Sequence, residues 1–354
     1  MTTESVGNVE VLTASRLTLR WLAAGVMSLL VAAILGLTVG PANIDAIDAL
    51  QELLNDLPGV NVESGLTRSH SAIVTEIRFP RVVLGALVGG LLAITGGAYQ
   101  GAFRNPLADP FLLGVAAGAG LGATLAIAGS FGDGAGYFDA TPVAAFVGAL
   151  LAVAMAWTAG HLGGKSTVSL VLSGVAVASF LTACQTYVLQ RNNDVIREVY
   201  SWILGRLATS GWDEVTLILP YFTLTCFVIL RYRRALDVLA VGDEEAASLG
   251  VSPTRVRAIV VLAASLGAAA AVSVAGLIGF VGIIVPHAVR LVVGVSNRVV
   301  LPLSVLFGAA FVVLADLAAR TLITPAELPI GVVTAFFGAP FFVLVLRTSR
   351  REIW

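Results

Sequence analysis

Charge is the scarcest property of this 354-residue chain, in which only 12% of residues are Asp, Glu, Lys or Arg. A soluble fold of that length needs a largely polar and charged exterior, so this composition excludes one. Lysine is almost missing, with one copy against twenty arginines. The 22 acidic residues nearly cancel the 21 basic ones, and a net charge of −1 leaves no basic footprint for nucleic acid. Cysteine occurs twice, as Cys184 and Cys226, each inside an apolar run. Neither a disulfide framework nor a cysteine-ligated metal site is expected from so few. Of the three histidines, His287 follows Pro286 in an apolar stretch with no second ligand nearby, so it reads as a packing residue.

Apolar residues fill the space that charge leaves. They make up 57% of the chain, mean hydropathy is +0.92, and apolar runs of about 18 residues or more recur, as spanning helices require. The 37 glycines include Gly85-x3-Gly89, Gly114-x3-Gly118-x3-Gly122 and Gly160-x3-Gly164. Such spacing lets helices approach closely in lipid, where hydrophobic burial gives little drive for association. The chain therefore reads as an all-α integral membrane protein with one transmembrane domain over residues 17–349. Ten helices are expected at about 17–39, 80–101, 112–129, 140–162, 168–190, 213–231, 255–274, 278–293, 299–320 and 329–347. A disordered cytoplasmic tail (1–16), an outer segment (40–77), a polar inner loop (232–254) and a cytoplasmic tail (350–354) complete the plan. Arg16 and Arg20 before the first apolar stretch look like the start of a signal peptide. The length of that stretch and the many later spans favour a retained first helix.

Basic residues set the orientation. With the N-terminus inside, fourteen fall on the inner side, among them Arg104, Lys165, Arg231, Arg233, Arg234, Arg255, Arg257, Arg290 and Arg298. Seven remain outside: Arg68, Arg78, Arg81, Arg191, Arg197, Arg206 and Arg320. Both termini are then cytoplasmic. Arg78 and Arg81, flanking Phe79-Pro80 at an outer helix end, go against the bias. Two readings are open for them: arginines that snorkel to outer headgroups, or a docking point for acidic groups of a partner.

Three further features carry chemistry. Asp316 and Arg320 lie four apart and can pair on one helix, which lowers the cost of a charge in the membrane. Arg104-Asn105-Pro106-Leu-Ala-Asp109-Pro110 has two prolines and two turn-forming side chains, so it reads as an inner-side break. Its role is structural or close to an inner gate, with Arg104 offsetting Asp109. Gly164-Lys165-Ser166 looks like the end of a phosphate-binding loop, but that motif needs glycine at 159, where Ala stands. No ATP hydrolysis by this chain is expected. A secondary transporter would want midplane carboxylates, and Asp316 is the one acidic residue clearly inside a span, with Arg320 beside it.

Several motifs in order resemble the FecCD-type permeases of ATP-binding-cassette importers for vitamin B12, haem and iron-siderophores. They are Arg78-Phe-Pro-Arg81, Gln100 with Arg104–Pro110 and Leu113-Gly114, Trp202-Ile-Leu-Gly205, and Gly242-Asp-Glu-Glu-Ala-Ala-Ser-Leu-Gly250. Gly279-Phe-Val-Gly282 with Pro286-His287 and Arg290, Ala315-Asp316-x3-Arg320, Glu327-Leu-Pro-Ile-Gly331 and Gly338-Ala-Pro340 follow. The resemblance implies a type II ABC importer permease architecture in a bacterial inner membrane. The partners it implies are a second permease subunit (the same chain or a relative), two cytoplasmic ATPase subunits and an extracytoplasmic substrate-binding protein. No cofactor is implied in this chain, since ATP and magnesium would belong to the ATPase. The cargo would be a large metal chelate, an iron-siderophore first, with haem and cobalamin as alternatives. Arg78, Arg81 and Arg320 would receive acidic residues of the binding protein, with Asp316 structural. Asp243, Glu244, Glu245, Ala246, Ala247, Ser248, Leu249 and Gly250 would form the loop that couples to the ATPase, in a region reading as two short helices with Ala246, Ala247 and Leu249 as the docking face. Ser169, Ser173, Ser179 and Thr182 are candidates for a weakly interacting passage.

Overall fold

A computed structural model describes residues 17–42, 44–55, 64–130, 140–164, 167–207 and 211–349. The two tails, Lys165 and Ser166 lie outside the described residues, and with them the expectation of a disordered N-terminus. The elements are helical throughout: α1 (Leu19–Thr38), α2 (Ala46–Asn55), α3 (Arg68–Ala72), α4 (Phe79–Phe103), α5 (Val115–Ala128), α6 (Ala140–Leu162), α7 (Thr167–Arg191) and α8 (Ile196–Ile203) in the first part. Then come α9 (Asp213–Leu239), α10 (Asp243–Ser248), α11 (Pro253–Ala275), α12 (Val281–Val293), α13 (Asn297–Thr321) and α14 (Ile330–Ser349). Every expected span has its helix.

Two spans are too short to cross alone. α5 has 14 residues and α12 has 13, about 20 Å each against roughly 30 Å of hydrocarbon. Irregular backbone extends both, and it survives in a bilayer only where protein covers it. A 3-10 turn at Pro110–Leu113 precedes α5. The 276–280 segment precedes α12, and the backbone beside it is cross-linked: Arg206 N donates to Ala275 O (2.9 Å), Ile330 N to Gly205 O (3.2 Å) and Gly331 N to Leu204 O (3.0 Å). Three motifs far apart in sequence thus meet at one backbone junction.

α4 is the axis of the bundle, packed by α9, α11, α12 and α13. Its glycines explain how so many helices reach it. A Cβ on Gly89 would overlap the Gly308 carbonyl of α13, and one on Gly96 would overlap the backbone of Gly282. Gly118 and Gly122 of α5 meet Gly148 and Ala144 of α6 in the same way. Two pairs of polar side chains bond across the bundle, Tyr99 with Ser265 (2.6 Å) and Gln185 with Thr124 (3.0 Å).

The helix ends differ from the sequence reading in two places. α9 runs to Leu239 rather than 231 because Leu236 and Leu239 are fully buried, so the amphipathic pattern outlasts the wholly apolar one. The inner loop is correspondingly shorter and holds one short helix, α10, not two. At the other end α4 is preceded without interruption by α3 and a π-helical turn at Ile73–Arg78. The outer segment also contains α2, held when Ser71 Oγ donates to Glu52 (2.5 Å).

Replacing Gly96 by Val is expected to cost about 2 kcal/mol or more, since the obstacle is backbone that cannot rotate away. Gly279 has nothing within 4 Å of a built Cβ, so Gly279→Ala should change unfolding by less than about 0.5 kcal/mol. Denaturant unfolding in detergent compares the two, and equal losses would contradict the packing account.

Candidate functional site

The end of the bundle where α4 begins is organised by arginines. Arg78, just before α4, is 4% exposed. Its guanidinium donates to Leu37 O (2.6 Å), Thr38 O (2.9 Å) and Ala42 O (2.7 Å). Leu37 and Thr38 close α1, whose last carbonyls have no partner within the helix and carry partial negative charge. Arg320 reaches the Gly36 carbonyl of the same turn. Capping a helix accounts for arginines at this position without invoking the membrane surface.

Arg81 is one turn further into α4. It donates Nε (3.0 and 3.1 Å) and Nη2 (2.9 Å) to Asp316 of α13, and Nη1 (3.1 Å) and Nη2 (2.9 Å) to Glu327. Asp316 also faces Arg320 at 3.6 Å, so the expected i,i+4 pair is present but long. Its principal partner is Arg81, a contact that spacing along one helix could not reveal. Side-chain exposure is 14% for Arg81, 8% for Arg320 and 6% for Asp316, against 53% for Glu327. None of Arg78, Arg81 and Arg320, the residues expected to receive a partner's acidic groups, presents a free guanidinium in this chain. Nor do they snorkel, since this chain's own carbonyls and carboxylates hold them. Hydrogen bonding to Arg81 keeps the Glu327 carboxyl below its usual range.

The inner end has a second network. Arg104 caps α4 with left-handed backbone (φ 51°), and its Nη2 lies 3.4 Å from Asp243 at the start of α10. The expected pairing of Arg104 with Asp109 is corrected: Arg104 serves Asp243. Asp109 has no ion-pair partner among the described residues. It accepts from Phe111 N (2.8 Å) and its other oxygen occupies space that Gly282 leaves open. Burial pushes its carboxyl up to about 6. Asn105 accepts from Leu107 N (2.9 Å) in the turn through Pro106. Arg257, which no motif singled out, binds both Asp243 oxygens (3.1 and 3.2 Å) and the Ala102 carbonyl (2.9 Å). Asp237, also missed, caps α13 through Asn297 N (2.6 Å) and Ser296 Oγ (2.8 Å). Its position at the end of α9, opposite the Ser296-Asn297 start of α13, was the available signal.

α10 has two unlike faces. Ala246 is fully buried, while Glu244, Glu245, Ala247, Ser248, Leu249 and Gly250 are exposed, with Val241 beside them. The apolar outward spot is thus Val241, Ala247 and Leu249, and Ala246 is corrected to the anchoring side. Along α7, Ser179, Thr182 and Thr186 line a shallow groove of about 600 Å³ with Phe111 and Leu112. The Ser179 and Thr186 hydroxyls donate to carbonyls of their own helix (2.9 Å each), so they present little unmet demand. Ser169 instead bonds to Gly160 O of α6 (3.1 Å).

This architecture and these motifs can be set beside known proteins. The profile of the FecCD transport family matches residues 28–348. The chain belongs to the FecCD transport family. Its relatives are permease subunits of ABC importers, transport components rather than enzymes, and so is this chain. It is 44% identical over 286 residues to the cobalamin import system permease protein BtuC of Halobacterium salinarum, covering 81% of this chain and 76% of that one. It is 36% identical over 320 residues to the Fe(3+)-citrate import system permease protein YfmD of Bacillus subtilis, covering 89% and 91%. A solved structure described as an inward-facing metal-chelate type ABC transporter superposes with a TM-score of 0.80 at 27% identity, over 93% of this chain and 99% of that one. The FecCD match encloses both charged networks.

Asp316→Asn should cost about 3–5 kcal/mol, because it strands two buried arginines. Glu327→Gln should cost less than about 1 kcal/mol, since that partner is half exposed. Chemical unfolding in detergent measures both, and a cost for Glu327→Gln equal to that for Asp316→Asn would contradict the assignment.

Proposed function

We propose that this chain and a second permease subunit form the membrane passage of an ATP-driven importer for a metal chelate. Two ATPase subunits drive it from the cytoplasm and a binding protein supplies cargo from outside. α10 carries this reading: one face is fastened to the bundle, and the other presents Val241, Ala247 and Leu249 between exposed acids. An exposed apolar spot on a rigid lever at a helix-bundle end suits docking against another protein. Asp316 is poorly suited to an ion-coupled alternative, because Arg81 and Arg320 already occupy its carboxylate oxygens.

The termini and α10 are placed on the cytoplasmic side by the arginine count, and the Arg81 network on the outer side. There, carboxylates of the binding protein reach Arg81 only by displacing Glu327, while Arg197 and Arg206 stand exposed at the same end. Among metal chelates, the 44% identity to a cobalamin permease, against 36% to a ferric citrate one, favours a corrinoid. An iron-siderophore is the second reading, supported by the number of iron-chelate relatives. The groove along α7 has self-satisfied hydroxyls and apolar neighbours, which suits a large cargo that must not be held tightly.

The test is uptake by proteoliposomes holding this chain, its ATPase and its binding protein. Cyanocobalamin should accumulate only with hydrolysable ATP and with the binding protein outside. Uptake of a ferric siderophore in its place would move the cargo to iron. Accumulation driven by an ion gradient without the ATPase would overturn the importer reading.

A further inference from the structure

α10 is only six residues long and is joined to its neighbours through Gly242 (φ 149°) and Gly250 (φ 79°). Glycine in such backbone is a permissive joint, so a displacement of α10 would be absorbed by bending there rather than passed on. Covalent connection alone therefore makes α10 a poor lever. Something must bypass the joints.

Asp243, the first residue of α10, does so. Its carboxylate binds Arg257 Nη2 at 3.1 and 3.2 Å and lies 3.4 Å from Arg104 Nη2. Arg257 belongs to the first turns of α11, and Arg104 is the C-cap residue directly after α4, so one carboxylate ties α10 to two membrane helices. Arg257 reinforces the tie by donating Nε to Ala102 O at 2.9 Å, which satisfies a carbonyl in the final turn of α4. Arg104 adopts left-handed backbone, φ 51° and ψ 38°, a conformation costly for a residue with a side chain. That turn ends α4 and places the guanidinium beside Asp243. The link between α10 and α4 is wholly non-covalent, and Asp243 is its acidic member.

What α4 reaches makes the link consequential. It is a 25-residue helix, about 37 Å long, and its other end carries Arg81, bonded to Asp316 of α13 and to Glu327 in the segment before α14. A stiff helix with a charged fastening at each end can carry a shift at α10 across the membrane. We propose that Asp243 is the positioning residue through which movement of α10 is transmitted to α4 and α11. This rests on the reading of α10 as the ATPase-facing element.

The experiment uses the assembled importer in proteoliposomes and reads assembly, ATP hydrolysis and cargo moved per ATP. Asp243→Asn removes the charge and keeps the size, and Asp243→Glu keeps the charge. The expected result is that the Asp243→Asn complex assembles and hydrolyses ATP while cargo per ATP falls about fivefold or more. Asp243→Glu should recover most of that loss. An unchanged ratio in Asp243→Asn overturns the proposal. So does a loss of assembly in Asp243→Asn, which would make the residue a docking or folding determinant. Failure of the unaltered chain to bind its ATPase would overturn the reading of α10 itself, a separate result visible before any substitution is made.

Discussion

Asp316 lies inside an apolar bundle between Arg81 and Arg320, and the end of the molecule where α4 begins is arranged around that contact. A lone carboxylate at such depth costs several kcal/mol, and a second cation sharing it needs an acceptor of its own. Arg320 finds one at the close of α1, and Arg81 finds one in Glu327. Arg78 completes the arrangement by capping α1 with bonds to the Leu37 and Thr38 carbonyls and holding the following Ala42 carbonyl with a third. As a result α1, α4, α13 and the segment leading into α14 are fixed to one another through a few charged side chains.

Between the charged ends the constraint is steric. Close approach at Gly89 and Gly96 lets backbones touch and turns α4 into a rod held on several sides, and Gly118 and Gly122 do the same between α5 and α6. The groove on α7 contrasts with this. Its hydroxyls bond to their own helix, and its walls are small or apolar. Rigid seams and an undemanding groove agree with a chain that passes cargo without holding it tightly.

Hydropathy and glycine spacing were enough to place all ten spans, because both report on each helix's own surroundings. The extension of α9 to Leu239 escaped that reading, since its last turns alternate arginines with buried leucines. Pairing along one helix was visible for Asp316 and Arg320. The stronger bond from Arg81 was not, because it joins helices far apart in sequence. Arg104 was assigned to Asp109, its neighbour in the motif, but the fold gives it Asp243. Arg257 and Asp237 lay in plain basic and acidic surroundings with no motif to mark them. What sequence spacing shows is local; the charged networks depend on which helix ends the fold brings together.

The account places the two networks on opposite sides of the membrane, with α10 in the cytoplasm. Impermeant maleimide labelling tests this in a background lacking Cys184 and Cys226, using Leu249→Cys on α10 and Ile323→Cys beside the Arg81 network, both exposed positions. In right-side-out vesicles the Ile323→Cys protein should label and the Leu249→Cys protein should not, with the pattern reversed in inside-out vesicles. Labelling of Leu249→Cys from outside, or of both positions from one side, would contradict the account.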